Sequence, residues 1–154
     1  MSLKVKRFIL IVIIALWAIM VFSFSGQDGN TSSGLSRKVV EFFIHDEQIV
    51  DIVEPYARKV AHFSEYALGG LLFDLLFLTY NWNDRKTMSI SIALGIWYAI
   101  TDEVHQIMVS GRNASIFDVY IDTLGFATGV CFMMLFYKIK LKLKGNNKKI
   151  KEEG

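Results

Sequence analysis

Four short stretches of the chain carry residue types that could do chemistry together. The first holds Arg58, Lys59, His62, Glu65 and Tyr66, the second Asp102, Glu103, His105 and Gln106, the third Arg112, and the fourth Asp118 and Asp122. An imidazole titrates near neutrality and serves as general acid or base. A carboxylate beside it orients it, and a guanidinium holds a phosphate or carboxylate through paired hydrogen bonds. On that chemistry His62, Glu65, Asp102, Glu103 and His105 are the candidate catalytic residues, and Arg58, Lys59, Tyr66, Gln106, Arg112, Asp118 and Asp122 the candidate substrate contacts. A covalent route has little support, because no activated serine or cysteine motif is present and the single cysteine, Cys131, falls deep in an apolar run. Any enzyme here is a non-covalent acid/base hydrolase or transferase.

The same residues allow two other readings. His62-x-x-Glu65 and Asp102-x-x-His105 each put potential ligands one helical turn apart, with Asp118 and Asp122 on a further segment. His62, Glu65 and His105 are then metal-ligand candidates, mixed imidazole and carboxylate ligands suit Zn, Mn or Fe, and the protein becomes a metal-dependent membrane hydrolase. Against this, the HExxH spacing of zinc proteases and a complete ExxH pair are absent, and Arg58, Lys59 and Arg112 would repel a cation. The second alternative is structural: Arg and Lys pair with Asp and Glu to fasten helix ends, and the protein is a non-catalytic binding or structural one. Two histidines, at least five carboxylates and three cations exceed what fastening three helices requires, so the cluster as a whole points to a site. The residues name no cofactor.

The elements that position these residues follow from composition. A hydrophobic fraction of 53% and a mean hydropathy of +0.36 are high for a soluble domain. One cysteine excludes an intramolecular disulfide. Apolar runs cover residues 8–24, 60–80, 88–109 and 116–137, each close to the length that crosses a hydrocarbon core of about 30 Å as a helix. The expectation is an all-α polytopic membrane protein, a single domain over 1–154, with four transmembrane helices in a compact bundle. Lys4, Lys6 and Arg7 precede the first run and no small-x-small cleavage site follows it, which favours an uncleaved helix over a signal peptide.

Residues 25–36 are rich in Ser, Gly, Asp and Asn and read as a loop. Beyond them Leu35, Val39, Phe42 and Phe43 share one side of a helix and Arg37, Lys38 and Glu41 lie elsewhere. A short amphipathic helix in the first outer loop is expected, lying on the membrane surface or packed on the protein's own outer face. Pro55 marks a place where the next helix could begin. The other connections, 81–87 and 110–115, are short and make neighbouring spans antiparallel. Twelve Lys and Arg fall on the side of the two termini and the 81–87 loop, against five on the other, so both termini are expected in the cytoplasm. The basic tail, 138–154, reads as a cytoplasmic anchor facing lipid headgroups, not a nucleic-acid contact.

With this topology the polar residues of three runs reach one depth near the outer face. Arg58, His62, Glu65 and Gly69 fall within a sector of about 60° on a helix. Gly95, Asp102 and Gln106 share a face with His105 beside them, and Asp118, Asp122, Gly125 and Gly129 align, the last two as a GxxxG pair. Polar groups stacked above glycines should point into the bundle and meet, because a lipid-facing carboxylate is costly. Asp74, in Leu-Leu-Phe-Asp-Leu-Leu-Phe near the opposite end, is expected to reach Arg85 or Lys86 or to be protonated. Trp17, Trp82 and Trp97 read as interface anchors or packing residues.

At these residues the chain resembles the VanZ-like membrane protein family. The segments that carry the resemblance are 58–66 (RKVAHFSEY), 98–106 (YAITDEVHQ), Gly111-Arg112 and 118–125 (DVYIDTLG). The exit from the first run, Ser23-Phe24-Ser25-Gly26-Gln27, is similar to the family's serine-glutamine motif in a looser form, and Ser110 stands where a proline is expected. The resemblance implies a multi-pass protein of the bacterial plasma membrane, in a family whose namesake is associated with resistance to the glycopeptide teicoplanin. The ligand expected at the outer-leaflet site is then a membrane lipid, a lipid-linked wall precursor or a glycopeptide. It does not supply a reaction.

Overall fold

The computed structural model describes residues 1–27, 29–109, 111 and 115–152. Among them the chain is helical, with no strand: α1 (Leu3–Ser25), α2 (Gly29–Phe43), α3 (Glu47–Phe77, closed by a 3₁₀ turn, Leu78–Tyr80), α4 (Asp84–Ile107) and α5 (Ile116–Glu152). Three of these, over Leu3–Ser25, Glu47–Tyr80 and Ile116–Gly145, are long and apolar enough to cross a membrane. α4 is long enough at 24 residues, but Asp84, Arg85 and Lys86 at one end and Asp102 and Glu103 at the other dilute its hydropathy.

Local signals set the helix starts. The Ser2 side chain accepts from the Val5 N–H and opens α1, and the Asn83 side chain accepts from the Lys86 N–H and opens α4. α3 begins at Glu47 and carries Pro55 in its interior, so the expected start at Pro55 is corrected. The reason is the Asp46 carboxylate, which accepts from the Gln48 and Ile49 N–H groups and caps the helix a full two turns earlier. At 31 residues α3 is about 46 Å long, more than a hydrocarbon core needs, and its first turns form an arm beyond the apolar stretch. α2 packs on that arm through buried Val40 and Val50, and Arg37 bridges to Glu41 at 2.7 Å and to Asp51 at 2.5 Å. Its other face leaves Leu35, Val39, Phe42 and Phe43 exposed. α5 continues as helix through the basic segment to Glu152.

Backbone contact joins α3 and α5. A Cβ built on Gly125 would land on the Phe63 carbonyl, one on Gly129 on the Ala67 carbonyl, and one on Gly70 on the Phe126 carbonyl. The two helices therefore run parallel in close register, as small-residue faces permit. Two other glycines are seats for rings: Trp17 lies on Gly69, and Phe126 lies on Gly95. Trp17 is the centre of the core, with Tyr66, Phe73, Tyr98 and Phe126 around it, and its indole N–H donates to the Glu65 carbonyl at 2.9 Å. Trp17 is thus a packing residue. Trp97 is exposed, and Trp82 stacks on Phe77 beneath the Lys86 ammonium.

Contacts far apart in sequence fix the ends. Arg7 donates to the Thr79 hydroxyl and to the Thr79 carbonyl and covers the Tyr80 ring, closing the last turn of α3. Lys138 pairs with Asp84 at the same end. At the opposite end Phe22 of α1 stacks on His105 of α4, their ring centroids 3.8 Å apart. Pairings of α1 with α4 (Ala18 with Tyr98, Phe22 with His105) make those two helices parallel, and both oppose α3 and α5.

Candidate functional site

Because α3, α4 and α5 are packed in this register, His62, Asp102 and Asp122 meet inside the bundle. One ligand-type atom from each lies within 4.8 Å of the others. His62 Nδ1 stands 3.6 Å from Asp122 Oδ1, Asp122 and Asp102 are fully buried, and Gln106 donates its amide to Asp102 Oδ2 at 3.2 Å. Glu65, one turn beyond His62, lies within the electrostatic reach of His62, Asp122 and Asp102. Tyr66 is completely buried, with its hydroxyl toward Asp102. It is a wall of the cluster and not an open substrate contact. Asp122 Oδ1 and Oδ2, Asp102 Oδ1, His62 Nδ1 and the Tyr66 hydroxyl are all buried without a hydrogen-bond partner. Among the described residues no Lys or Arg ion-pairs with Asp102 or Asp122.

Beside the cluster is a pocket of about 120 Å³, walled by Arg58, His62 and Glu65 of α3, Ser25 and Gln27 at the exit of α1, and Leu35 of α2. His62 belongs to both, its Nδ1 turned to Asp122 and its ring forming part of the pocket wall. The pocket combines a guanidinium, an imidazole, a carboxylate and a hydroxyl with the apolar edges of Phe24 and Leu35. That mixture can hold an anionic group joined to an apolar body.

The remaining candidates take other positions. Glu103 Oε2 accepts from the Ser115 N–H at 2.9 Å and so holds the turn before α5, with Oε1 buried and unpartnered. His105 turns to α1, stacked on Phe22 and close to Gly26, and is outside the His62 group. The residues whose ligand atoms lie close enough to share one metal ion are His62, Asp102 and Asp122, of which only His62 was among the metal-ligand candidates His62, Glu65 and His105. Lys59 lies over the Phe117 ring, its ammonium 4.4 Å from the centroid. Asp118 sits in the first turn of α5, where a carboxylate complements the helix dipole. Arg112 lies outside the described residues. Asp74, expected to reach Arg85 or Lys86 or to be protonated, is fully buried and accepts from the Ser91 hydroxyl at 3.4 Å, while Lys86 covers Trp82.

Ser25 is a residue that sequence reasoning left unassigned. Its hydroxyl is buried, without a hydrogen-bond partner, in the pocket wall. The available signal was its place in the Ser-Gly-Gln exit of α1, which composition alone marks as loop.

Apolar helices long enough to span a bilayer, with a buried polar cluster gathered at one end, define a helical membrane protein. The chain belongs to the VanZ/LLP1 family, which it matches over residues 8–137. No curated protein and no solved structure matches it.

Proposed function

We propose that this membrane protein captures the anionic headgroup of a cell-envelope lipid, lipid-linked wall precursor or glycopeptide in the Arg58 pocket. The observation that carries the reading is the pocket's composition: Arg58, His62 and Glu65 face a space whose rim is apolar Phe24 and Leu35 under an amphipathic helix. Arg58 supplies the forked donor for phosphate or carboxylate, and His62 is placed to move a proton at the bound group. Leu35, Val39, Phe42 and Phe43 expose an apolar face on α2 suited to the headgroup boundary of the bilayer.

In this reading α4 is a fourth span. Its antiparallel packing on α3 and α5, from Asp84 beside Lys138 to Glu103 beside Ser115, supports counting it with the three apolar helices. The excess of Lys and Arg at the end that carries both termini then places the termini in the cytoplasm and the pocket in the outer leaflet of a bacterial plasma membrane. A purely fastening role is the weaker account, because among the described residues no Lys or Arg pairs with Asp102 or Asp122, and His62, the one imidazole beside them, stands 3.6 Å from Asp122 alone. Teicoplanin protection, where this chain gives it, follows from the same capture or from alteration of the captured molecule.

Comparative mass spectrometry of lipids and wall precursors from cells with the gene, without it, and with Arg58→Gln tests the proposal. A species that changes with the gene and reverts in Arg58→Gln names the substrate class. Identical extracts, with teicoplanin susceptibility also unchanged, would reject the reading.

A further inference from the structure

The pocket does not account for the oxygen and nitrogen atoms behind it. Asp102 Oδ1, both Asp122 oxygens, His62 Nδ1 and the Tyr66 hydroxyl converge in the interior without hydrogen-bond partners. Asp102, Asp122 and Tyr66 are each 0% exposed. Buried polar atoms are paired in nearly all native structures, and a buried carboxylate pair without a cation is costly. Among the described residues the neighbouring Lys and Arg are turned elsewhere, Lys59 over Phe117 and Arg58 into the pocket, and His62 is the cation-forming group in the cluster, 3.6 Å from Asp122. A protonated His62 can answer only one of the two carboxylates, whereas a single divalent ion can accept a lone pair from each of the three side chains at once.

We propose that His62, Asp102 and Asp122 form a binding site for one first-row divalent metal ion, Zn²⁺ or Mn²⁺. The three side chains come from three helices and each offers an unpartnered ligand atom. An ion bonded at about 2.1 Å to three ligands of a tetrahedron holds those atoms about 3.4 Å apart. The three ligand atoms lie within 4.8 Å of one another, so binding draws them together by up to about 1.4 Å, a movement within the reach of side-chain rotation. One imidazole among carboxylates selects Zn²⁺ or Mn²⁺ over Mg²⁺ and Ca²⁺, which prefer oxygen alone. Gln106 fixes the second oxygen of Asp102, leaving Oδ1 for the ion, an outer contact of the kind that tunes metal affinity. Three protein ligands leave a coordination position open. His62, shared with the pocket, puts that ion next to whatever Arg58 holds. The site stands on its own geometry and does not depend on the pocket's ligand.

The full-length protein, purified in detergent and stripped with a chelator, is titrated with Zn²⁺, Mn²⁺ and Mg²⁺ and then desalted for elemental analysis. Wild type retains one equivalent of Zn²⁺ or Mn²⁺ per chain and little Mg²⁺. Asp102→Asn and Asp122→Asn each weaken binding at least tenfold, and Gln106→Leu weakens it about 10- to 100-fold through the Asp102 orientation. Asp74→Asn, a buried carboxylate outside the cluster, retains the wild-type stoichiometry. Circular dichroism checks each variant for folding, and if the aspartate variants do not fold, His62→Gln takes their place in the comparison. No retained Zn²⁺ or Mn²⁺ in the wild type overturns the proposal without reference to any variant. Equal retention by wild type and folded cluster variants overturns it too, since the metal then sits elsewhere. Either result leaves the headgroup reading to its own lipid measurement.

Discussion

Replacing Gly129 by alanine adds one methyl group at the tightest seam in the protein. That carbon would meet the Ala67 carbonyl and the Leu71 amide nitrogen, and real Cβ contacts essentially never close below 3.0 Å. The obstacle is backbone on a rigid helix, so α3 and α5 must part by about an ångström. Overpacking of this kind costs about 1–3 kcal/mol, while glycine to alanine inside a helix returns up to about 1 kcal/mol. The net expectation is a loss of about 1 kcal/mol, and up to about 2 kcal/mol if the seam yields little. The same substitution at Gly145, where nothing lies within 4 Å of the new carbon, has only the propensity gain and should stabilise by about 0.5–1 kcal/mol. Equilibrium unfolding in mixed micelles, followed by the fluorescence of buried Trp17, measures both. The separation also reaches the site, because Phe63 adjoins His62 and Gly125 is one turn from Asp122, so the 3.6 Å contact between His62 and Asp122 should lengthen. A Gly129→Ala protein as stable as Gly145→Ala would refute the described contact of α3 with α5.

Two further outcomes follow from named contacts. In a Cys131→Ser background, Gly29→Cys and Gly111→Cys should react with an impermeant thiol reagent on intact cells while Lys86→Cys is protected, and the reverse pattern would overturn the orientation drawn from charge. Glu103→Gln keeps an acceptor for the Ser115 N–H and should unfold within about 0.5 kcal/mol of wild type, whereas Glu103→Ala should lose about 1–2 kcal/mol by chemical denaturation; equal stability of the two would remove the structural role assigned to Oε2.

The parts of this architecture that were legible in the sequence are those set by local periodicity. Gly125 and Gly129 were readable as a close-packing face because four-residue spacing and helical phase alone place them in line with Asp118 and Asp122. The common depth of His62, Asp102 and Asp122 followed from antiparallel spans joined by short connections. What periodicity could not assign was the flank of α4 that each polar residue serves. Asp102 and Gln106 differ by about 40° around the helix and share the cluster, but Glu103 and His105 diverge to either side of them. Glu103 therefore meets Ser115 just before α5 and His105 meets Phe22 of α1, contacts fixed only when the neighbouring helices take their places. Arg7 and Thr79 stand 72 residues apart, and nothing local to either announces the pairing. The start of α3 was misplaced because Pro55 is a strong local signal for a helix start, and the Asp46 cap that overrides it stands in an acidic stretch where several residues could serve. For Trp17 composition left anchor and packing residue both open, and Gly69 decides for the core by opening a seat for its ring.

The central claim is that the Arg58 pocket holds an anionic amphiphile, and native mass spectrometry of the intact protein released from its own membrane tests it most directly. The expected spectrum shows a lipid or lipid-linked adduct on the wild type that is retained in Asp74→Asn and reduced at least fivefold in Arg58→Gln, with His62→Gln intermediate. Adducts of the same mass and intensity on wild type and Arg58→Gln would contradict the claim, because the bound molecule would then not be held by the guanidinium.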